Sequence, residues 1–416
     1  MKSSTVSTQS FGKKRLPTLV DNISRSSLFR VLNSLEGGTL TITEPEGTTR
    51  FGQDTEDDST IHAHIFVKDP SFYRNVLFSG SIGAGESYVM DQWSSPDLTN
   101  VIRVISRNLK LLDKIEGGLS TASNLYQRFK HVLSRNSFSG SKRNIGAHYD
   151  LSNELFEYFL DSHMMYSSAI FPTNESNLEM ASEHKLKTIA EKLKLTEHDH
   201  VLEIGTGWGG LAIYLAENYG CRVTTTTISK EQFEYASLRI KERNLGNLIT
   251  LLDQDYRKLE GAFEKIVSIE MIEAVGVEYL KDYFRKCDQL LKPGGKMLLQ
   301  AITIPEQRYD SYQKGSDFIQ RYIFPGGSLP SIESILNNTG KHTSMQLQGL
   351  EDIGLDYAKT LAIWRDRFMS NPHKIHEMGF DDRFIRMWLF YLGYCEGGFL
   401  ENAISSSQLL LRKNSH

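Results

Sequence analysis

The segment VLEIGTGWGGLAIYLAENYG, residues 201–220, joins a short apolar run to closely spaced glycines and then to a helical pattern. Gly205 and Gly207 allow a tight strand-to-helix turn, and they let a ligand approach the backbone closely. The first amide groups of the following helix have no partner inside that helix. The segment therefore predicts a strand, a glycine turn and a helix that bind a nucleotide-containing cofactor.

Two cofactors fit this turn, and the flanking residues distinguish them. Gly205, Gly207 and Gly210 match the G-x-G-x-x-G pattern of a dinucleotide site. Such a site also needs an acidic residue at the end of the second strand, where it binds the ribose. The second strand here, CRVTTTTIS (221–229), ends in hydroxyl side chains instead. The sequence therefore argues against a dinucleotide.

Acidic residues on the first and third strands favour S-adenosylmethionine. Glu203, just before the glycines, is suited to order the turn and to offset the positive charge of a sulfonium-bearing amino acid. Asp255, in LLDQDY, is placed to accept a hydrogen bond from an adenine amino group, and Tyr256 is placed to stack beside it. Helix capping is the alternative role for Asp255.

Strand-like and helical patterns alternate from the glycine segment to residue 303, which predicts a parallel sheet covered on both faces. The predicted fold class is α/β, with a Rossmann-like class I methyltransferase core behind a small N-terminal α+β domain. The predicted boundaries are a disordered tail at 1–20, the small domain at 21–110, a basic linker at 111–146 and the methyltransferase domain at 147–416.

Composition excludes several classes of protein. The three cysteines of this 416-residue chain lie far apart, which argues against a disulfide framework or a cysteine-based zinc site and fits a reducing cytoplasm. His62 and His64 share one face of a predicted strand but lack a third ligand, so we expect no metal site. The N-terminus lacks the apolar stretch of a signal peptide. No apolar run reaches the length of about 18 residues that spans a membrane.

Basic residues are concentrated between residues 101 and 146, where only Asp113 and Glu116 oppose them. A solvated linker and an anionic phospholipid surface are the two main interpretations. The net charge of −4 disfavours nucleic acid as a partner. The sequence does not decide between a monomer and a homodimer. The basic residues are Arg103, Arg107, Lys110, Lys114, Arg128, Lys130, Arg135, Lys142 and Arg143.

Several longer segments resemble the cyclopropane-fatty-acyl-phospholipid synthases, over roughly residues 140–412. They are the glycine segment, HYDLSNELFEYFLDSHMMYSSAIF (148–171), FEKIVSIEMIEAVG (263–276), YIFPGGSLPS (322–331) and GLDYAKTLAIWRDRF (354–368). The resemblance implies methyl transfer from S-adenosylmethionine to the cis double bond of a phospholipid acyl chain. It also implies peripheral association with the inner face of the membrane.

In that family a bound bicarbonate removes a proton from the new methyl group so that the ring closes. The residues of the anion site correspond here to Glu273, Tyr357, Ile302 through its backbone, Ser168 and Gln300. Ser168 and Gln300 replace the usual cysteine and histidine of the family. Because a glutamine amide cannot carry charge, bicarbonate use stays open. The product stays open as well, between a cyclopropane and a methyl- or methylene-branched chain.

The predicted cofactor-binding residues combine those that the resemblance assigns with Glu203, which its position before the glycines indicates. They are Tyr166, Ser167, Glu203, Gly205, Gly207, Gly209, Thr227, Ser229, Gln232, Asp255 and Tyr256. Ordinary core packing is the alternative for Tyr166 and Tyr357. A small-molecule methyltransferase and a non-catalytic lipid-binding protein are the alternative functions. The N-terminal module and the basic linker favour a lipid substrate, since a small amine needs neither.

Overall fold

The computed structural model describes residues 15–54, 60–109 and 151–415. These residues form two compact units. Residues 15–54, 60–109 and 381–397 belong to the first unit, and residues 151–380 and 398–415 belong to the second.

In the first unit, the strands that are described form a four-stranded sheet in the order β2-β1-β3-β4. β1 is parallel to β3, and the other neighbours are antiparallel. Its N-terminal elements are α1 (Leu19–Leu32), β1 (Thr39–Glu44), β2 (Gly47–Gly52), β3 (His62–Val67), α2 (Ser71–Val89), β4 (Trp93–Ser94) and α3 (Leu98–Arg107). The predicted small α+β domain matches these elements in kind.

The start of α1 differs from the predicted disordered tail. The Thr18 side chain accepts a hydrogen bond from the backbone N–H of Asp21, and the Asp21 carboxylate accepts one from the backbone N–H of Thr18. This reciprocal cap satisfies amides that would otherwise lack partners at the helix end. The tail prediction is therefore wrong for residues 19 and 20, while residues 1–14 lie outside the described part of the chain.

The second unit contains the predicted doubly covered sheet. Its strands are β5 (His200–Ile204), β6 (Arg222–Thr227), β7 (Ile249–Asp253), β8 (Phe263–Ile269), β9 (Leu291–Thr303), β10 (Met345–Asp352) and β11 (Ser405–Lys413). Its longer helices are α4 (Asn153–Phe159), α5 (Leu178–Leu193), α6 (Gly210–Tyr219), α7 (Lys230–Glu242), α8 (Leu280–Leu290), α9 (Glu306–Tyr312), α10 (Ile332–His342), α11 (Gly354–Met369) and α12 (Pro372–Glu377). α13 (Asp382–Leu400) begins in the first unit and ends in the second.

The described strands of this sheet have the order β10-β11-β9-β8-β5-β6-β7. The five strands from β5 to β9 are parallel, which confirms the predicted Rossmann-like α/β class. β10 and β11, which the sequence analysis did not predict, add an antiparallel edge. The chain order reverses between β5 and β8, so the carboxyl ends of these two strands form the switch point where ligands bind in such sheets.

Apolar residues cover both faces of the sheet, because successive side chains of a strand point in opposite directions. Leu202 of β5 packs in a core with residues of α8, such as Phe284. Val201 of the same strand packs in a second core with residues of α5 and α6, such as Leu186 and Leu215. A polar side chain on these strands is therefore removed from water and must find a protein partner or a ligand.

Residues 381–397 join the first unit, which differs from the predicted single domain at 147–416. The Arg386 guanidinium donates to the backbone carbonyls of Tyr88 and Trp93. The Phe390 ring packs against the rings of the same two residues. Pattern-based boundaries missed this segment because these contacts join residues about three hundred positions apart. In the described part of the chain, no helix combines the length and apolar character needed to cross a membrane.

Candidate active site

The glycine turn between β5 and α6 has the conformation that the sequence predicted. Gly205, Gly207 and Gly209 have φ angles of 103°, 52° and 85°, in the region that favours glycine. A Cβ atom at Gly207 would meet no other atom within 4 Å, whereas one at Gly210 would lie 2.2 Å from the His163 carbonyl oxygen. Gly207 therefore leaves the turn open to a ligand, and Gly210 serves close packing.

Glu203 lies on β5 immediately before this turn and is almost fully buried, with 3% of its surface exposed. Its carboxylate accepts a hydrogen bond of 2.5 Å from the Thr225 hydroxyl. Burial raises the pKa of Glu203 to about 8. A buried acid beside an open glycine turn suits a cationic ligand group, since a nearby positive charge stabilises the ionised form. These residues fit the amino-acid part of S-adenosylmethionine.

The end of β6 presents hydroxyl and amide groups, as predicted. The Thr227 hydroxyl donates to the Gln232 side-chain oxygen at 2.9 Å. The Ser229 hydroxyl caps α7 by accepting from the Gln232 backbone N–H. The structure thus brings these three predicted residues together, and their contacts with the cofactor remain a prediction.

Asp255 shows the helix-capping role that the sequence left open. Its carboxylate accepts hydrogen bonds from the backbone N–H of Arg257 at 2.9 Å and from the Arg257 guanidinium at 2.6 and 2.8 Å. Tyr256 packs edge-on against Tyr283, with ring centroids 5.5 Å apart. Recognition of adenine by Asp255 and Tyr256 stays a prediction, and both Asp255 oxygens already have partners.

Tyr166 and Ser167 contact residues that the sequence analysis did not single out. The Tyr166 ring packs against Phe156 and Trp364, with centroid distances of 5.2 and 5.3 Å. The Ser167 hydroxyl accepts a hydrogen bond of 2.7 Å from Lys185, which is fully buried. Burial lowers the pKa of Lys185 to about 8, against the opposing charges of Glu270 and Asp161.

Three of the predicted anion-site residues converge on the carboxylate of Glu270. The backbone N–H of Ser168 donates to Oε1 at 3.0 Å, and the Gln300 amide donates to the same oxygen at 2.8 Å. The Tyr357 hydroxyl donates to Oε2 at 2.7 Å. Glu270 is visible in the sequence as an acidic residue that directly follows a buried strand, yet only Glu273 was predicted from this segment.

Glu273 lies in the same region and has fewer partners. Its Oε1 atom accepts a hydrogen bond of 2.5 Å from the backbone N–H of Ile302. Its Oε2 atom is buried and has no hydrogen-bond partner among the described residues. Burial, and then the negative charge of Glu270, raise the pKa of Glu273 to about 8. Glu273 and Ile302, which were both expected to contact a bound anion, contact each other here, and the catalytic role of Glu273 stays a prediction.

The two histidines on β3 have ordinary partners. His62 is 3.0 Å from the Thr39 hydroxyl, and His64 is 2.9 Å from the Thr43 hydroxyl. No group of His, Cys, Asp and Glu side chains within residues 15–54, 60–109 and 151–415 is arranged to hold a metal ion.

An open glycine turn, a buried acid before it and a hydroxyl-lined second strand at the switch point define an S-adenosylmethionine-dependent methyltransferase of class I. Residues 137–409 match the model of the mycolic acid cyclopropane synthetase family, and the chain belongs to that family. S-Adenosylmethionine is therefore its cofactor, as predicted.

Individual relatives agree with this assignment. The chain is 39% identical to the cyclopropane-fatty-acyl-phospholipid synthase of Escherichia coli (strain K12), over 84% of this chain and 88% of that protein. It is 38% identical to the tuberculostearic acid methyltransferase UfaA1 of Mycobacterium tuberculosis, over 80% of each chain. The mycolic acid cyclopropane synthase CmaA1, solved with SAH and CTAB, is 27% identical with a TM-score of 0.62 and covers 65% of this chain and 98% of its own.

Replacing Glu203 with glutamine tests the buried acid. Because the folded pKa of Glu203 lies above its unfolded value, its contribution to stability is full below about pH 4.5 and is lost as pH rises towards 8. Glu203→Gln should therefore become more stable relative to wild type between pH 5 and pH 8, by an amount on the order of a few kcal/mol. Urea unfolding of the cofactor-free proteins at each pH measures this difference.

Glu264→Gln is the matched control. Burial raises the pKa of Glu264, but hydrogen bonds from Lys292 and from the His200 backbone outweigh it, so the net pKa is lowered. Its contribution to stability is lost as pH falls, so Glu264→Gln should become less stable relative to wild type as pH rises. A Glu203→Gln difference that does not change with pH would contradict the assignment of a buried neutral acid.

Proposed function

We propose that this enzyme transfers a methyl group from S-adenosylmethionine to the cis double bond of an unsaturated phospholipid acyl chain and forms a cyclopropane fatty acyl chain. The observation behind the proposal is a pair of half-buried acids, Glu270 and Glu273, near the cofactor turn of a chain in this family. Burial raises the pKa of both carboxyl groups. The Escherichia coli relative, a cyclopropane-fatty-acyl-phospholipid synthase, has the same substrate class in its name.

The chemistry explains why buried acids belong in such a site. An alkene is a weak nucleophile, so methyl transfer to it needs close alignment and exclusion of water. The transfer leaves a positive charge on a chain carbon, which nearby negative charge stabilises. A base must then remove one proton. Glu270 and Glu273 flank Met271, whose side chain would lie 3.3 Å from a Cβ atom added at Gly205. This closeness to the glycine turn supports such a role for the two acids.

A phospholipid bilayer is the partner that we propose for the first unit. The beginning of α1 exposes Leu19 and Ile23, whose side chains are 76% and 56% exposed, together with Leu16 and Val20. Exposed apolar side chains near one helix end suit the interfacial region of a membrane. Most of the basic cluster at 101–146 lies outside the described residues. We infer peripheral binding to the inner face of the membrane.

The function is tested with phospholipid vesicles and S-adenosylmethionine that carries a fully deuterated methyl group. Unsaturated lipids should gain one carbon and keep two of the three deuterium atoms, because ring closure removes one from the methyl group. Ozonolysis distinguishes the ring from a methylene branch of equal mass. Loss of a proton from the chain would keep all three deuterium atoms and indicate a methyl-branched alkene. Fully saturated vesicles are the control, and label in an added small amine alone would support the alternative small-molecule function.

Replacing Glu273 with alanine tests the second acid of the pair. We expect S-adenosylhomocysteine binding to stay near the wild-type value, because Glu273 is separate from the residues of the glycine turn. Turnover on vesicles should fall by roughly 10²-fold, the usual effect of losing an electrostatic or proton-transfer group. Calorimetric titration and the vesicle assay give the two values. Unchanged turnover would remove Glu273 from the mechanism.

Vesicle sedimentation tests membrane binding. Replacing the four basic residues Lys110, Lys114, Arg128 and Lys130 with glutamine should weaken binding to anionic vesicles by about 1 kcal/mol for each residue that lies at the surface. The loss should shrink as salt rises, because salt screens exposed charges. A control variant loses the same charge from exposed lysines of the second unit, namely Lys187, Lys230, Lys241 and Lys281. Equal binding by the two variants would leave the basic segment as a solvated linker.

A further inference from the structure

The carboxylate of Glu270 occupies the centre of a set of hydrogen-bond donors. Ser168, Gln300 and Tyr357 all donate to it at 3.0 Å or less, and they come from three separate parts of the second unit. Ser168 and Gln300 expose none of their surface. Three converging donors on buried residues form a site for an anion.

The backbone shows that Glu270 is held in place at a cost. Its φ angle is 49°, in the left-handed region that glycine tolerates and other residues rarely adopt. Its backbone N–H donates to the carbonyl oxygen of Gln300 at 2.8 Å, so the strand end fixes this conformation. A buried acid in a strained conformation carries two unfavourable features, and such features persist mainly at functional sites.

A chain of side chains fixes the direction in which the Gln300 amide points. Lys192, which has only donors, donates to the Gln408 oxygen at 2.6 Å. The Gln408 nitrogen then donates to the Gln300 oxygen at 2.9 Å. The Gln300 nitrogen therefore faces Glu270, where only a hydrogen-bond acceptor fits. The lysine at one end can only donate and the carboxylate at the other end accepts, so both amides can have only one orientation.

These contacts occupy the donors that the family resemblance implied for bicarbonate. The Ser168 N–H, the Gln300 amide and the Tyr357 hydroxyl, which were expected to bind that ion, all bind Glu270 instead. A second anion in the same buried pocket would face the negative charge of Glu270 without these donors. The residues present do not fit a bound bicarbonate.

We infer that the Glu270 carboxylate stands where the family was expected to bind bicarbonate and is itself the base of the reaction. This inference rests on the proposed function. The π electrons of the alkene form a bond to the methyl carbon as the bond between that carbon and sulfur breaks, which releases S-adenosylhomocysteine. A Glu270 oxygen then takes one proton from the new methyl group. The electrons of that C–H bond close the third side of the ring, so neither an oxidant nor a reductant is needed.

Glu270 and Glu273 differ in the groups that oppose the effect of burial on their pKa values. Burial raises the pKa of Glu270, but the hydrogen bonds from Tyr357 and Gln300 and the charge of Lys185 oppose that rise. Glu273 has only backbone hydrogen bonds to oppose burial and the charge of Glu270. These surroundings favour the ionised form more strongly for Glu270 than for Glu273, as in other pairs of acids with unequal surroundings.

Two variants separate the role of the carboxylate from its structural role. Glu270→Gly suits the left-handed backbone and opens the space among the three donors, so added bicarbonate or formate can enter. Glu270→Gln keeps the side chain in place but cannot take a proton. In buffer freed of carbon dioxide, wild type should keep full turnover, and both variants should lose roughly 10²-fold or more. Millimolar bicarbonate should restore at least about tenfold to Glu270→Gly and nothing to Glu270→Gln.

Several outcomes would overturn the inference. They are a wild type that loses turnover when carbon dioxide is removed, a Glu270→Gln variant within a few-fold of wild type, and a folded Glu270→Gly variant that neither anion restores. S-Adenosylhomocysteine binding and thermal unfolding report whether each variant is folded. If Glu270→Gly fails to fold, the wild type and Glu270→Gln decide the question. Absence of methyl transfer by wild type to any unsaturated vesicle would instead refute the proposed function, whichever anion is present.

Discussion

The covering of one sheet on both faces is the constraint on which the site depends. Side chains at inner positions of β5, β8 and β9, such as Glu203, Ser268 and Gln300, are almost fully removed from water. Each polar group at such a position needs a partner within the protein or from a ligand. Glu203, Glu270 and Gln300 all follow or lie on these central strands, and each has a hydrogen-bond partner in the structure. The exception is one oxygen of Glu273. Glu203 and Glu270 lie at the switch point between β5 and β8, where sheets of this kind bind their ligands.

The sequence predicted those parts of the site that depend on local chain geometry. The glycine turn and the hydroxyl-lined end of β6 each involve residues only a few positions apart, so spacing and residue type specify them. The parallel sheet followed from the alternation of strands and helices. For the same reason the sequence offered a capping role for Asp255, whose partner Arg257 is two positions away.

The parts that escaped prediction depend on which strands are neighbours. Glu270 meets Gln300 because β8 and β9 are parallel neighbours in register, with Ile269 opposite Gln300. Gln408 reaches Gln300 because β11 adds to the other side of β9. No spacing rule relates residues 270, 300 and 408, so the family resemblance named Gln300 and Tyr357 without the acid that they bind. The placement of residues 381–397 in the first unit could not be predicted for the same reason, since it depends on contacts between distant parts of the chain.

A carboxylate that is part of the chain differs physically from a bound anion. A dissolved ion loses translational freedom each time it binds, and the fraction of sites it fills depends on its concentration. Glu270 loses its freedom once, when the chain folds, and it is present in every folded molecule whatever the concentration of dissolved anions. The cost appears instead as a positive φ angle and a buried charge, which the three donors offset. The same difference accounts for Gln300. A carboxylate fixed by the chain needs only a neutral amide to complete its set of donors, whereas a bound ion would gain more from a charged donor.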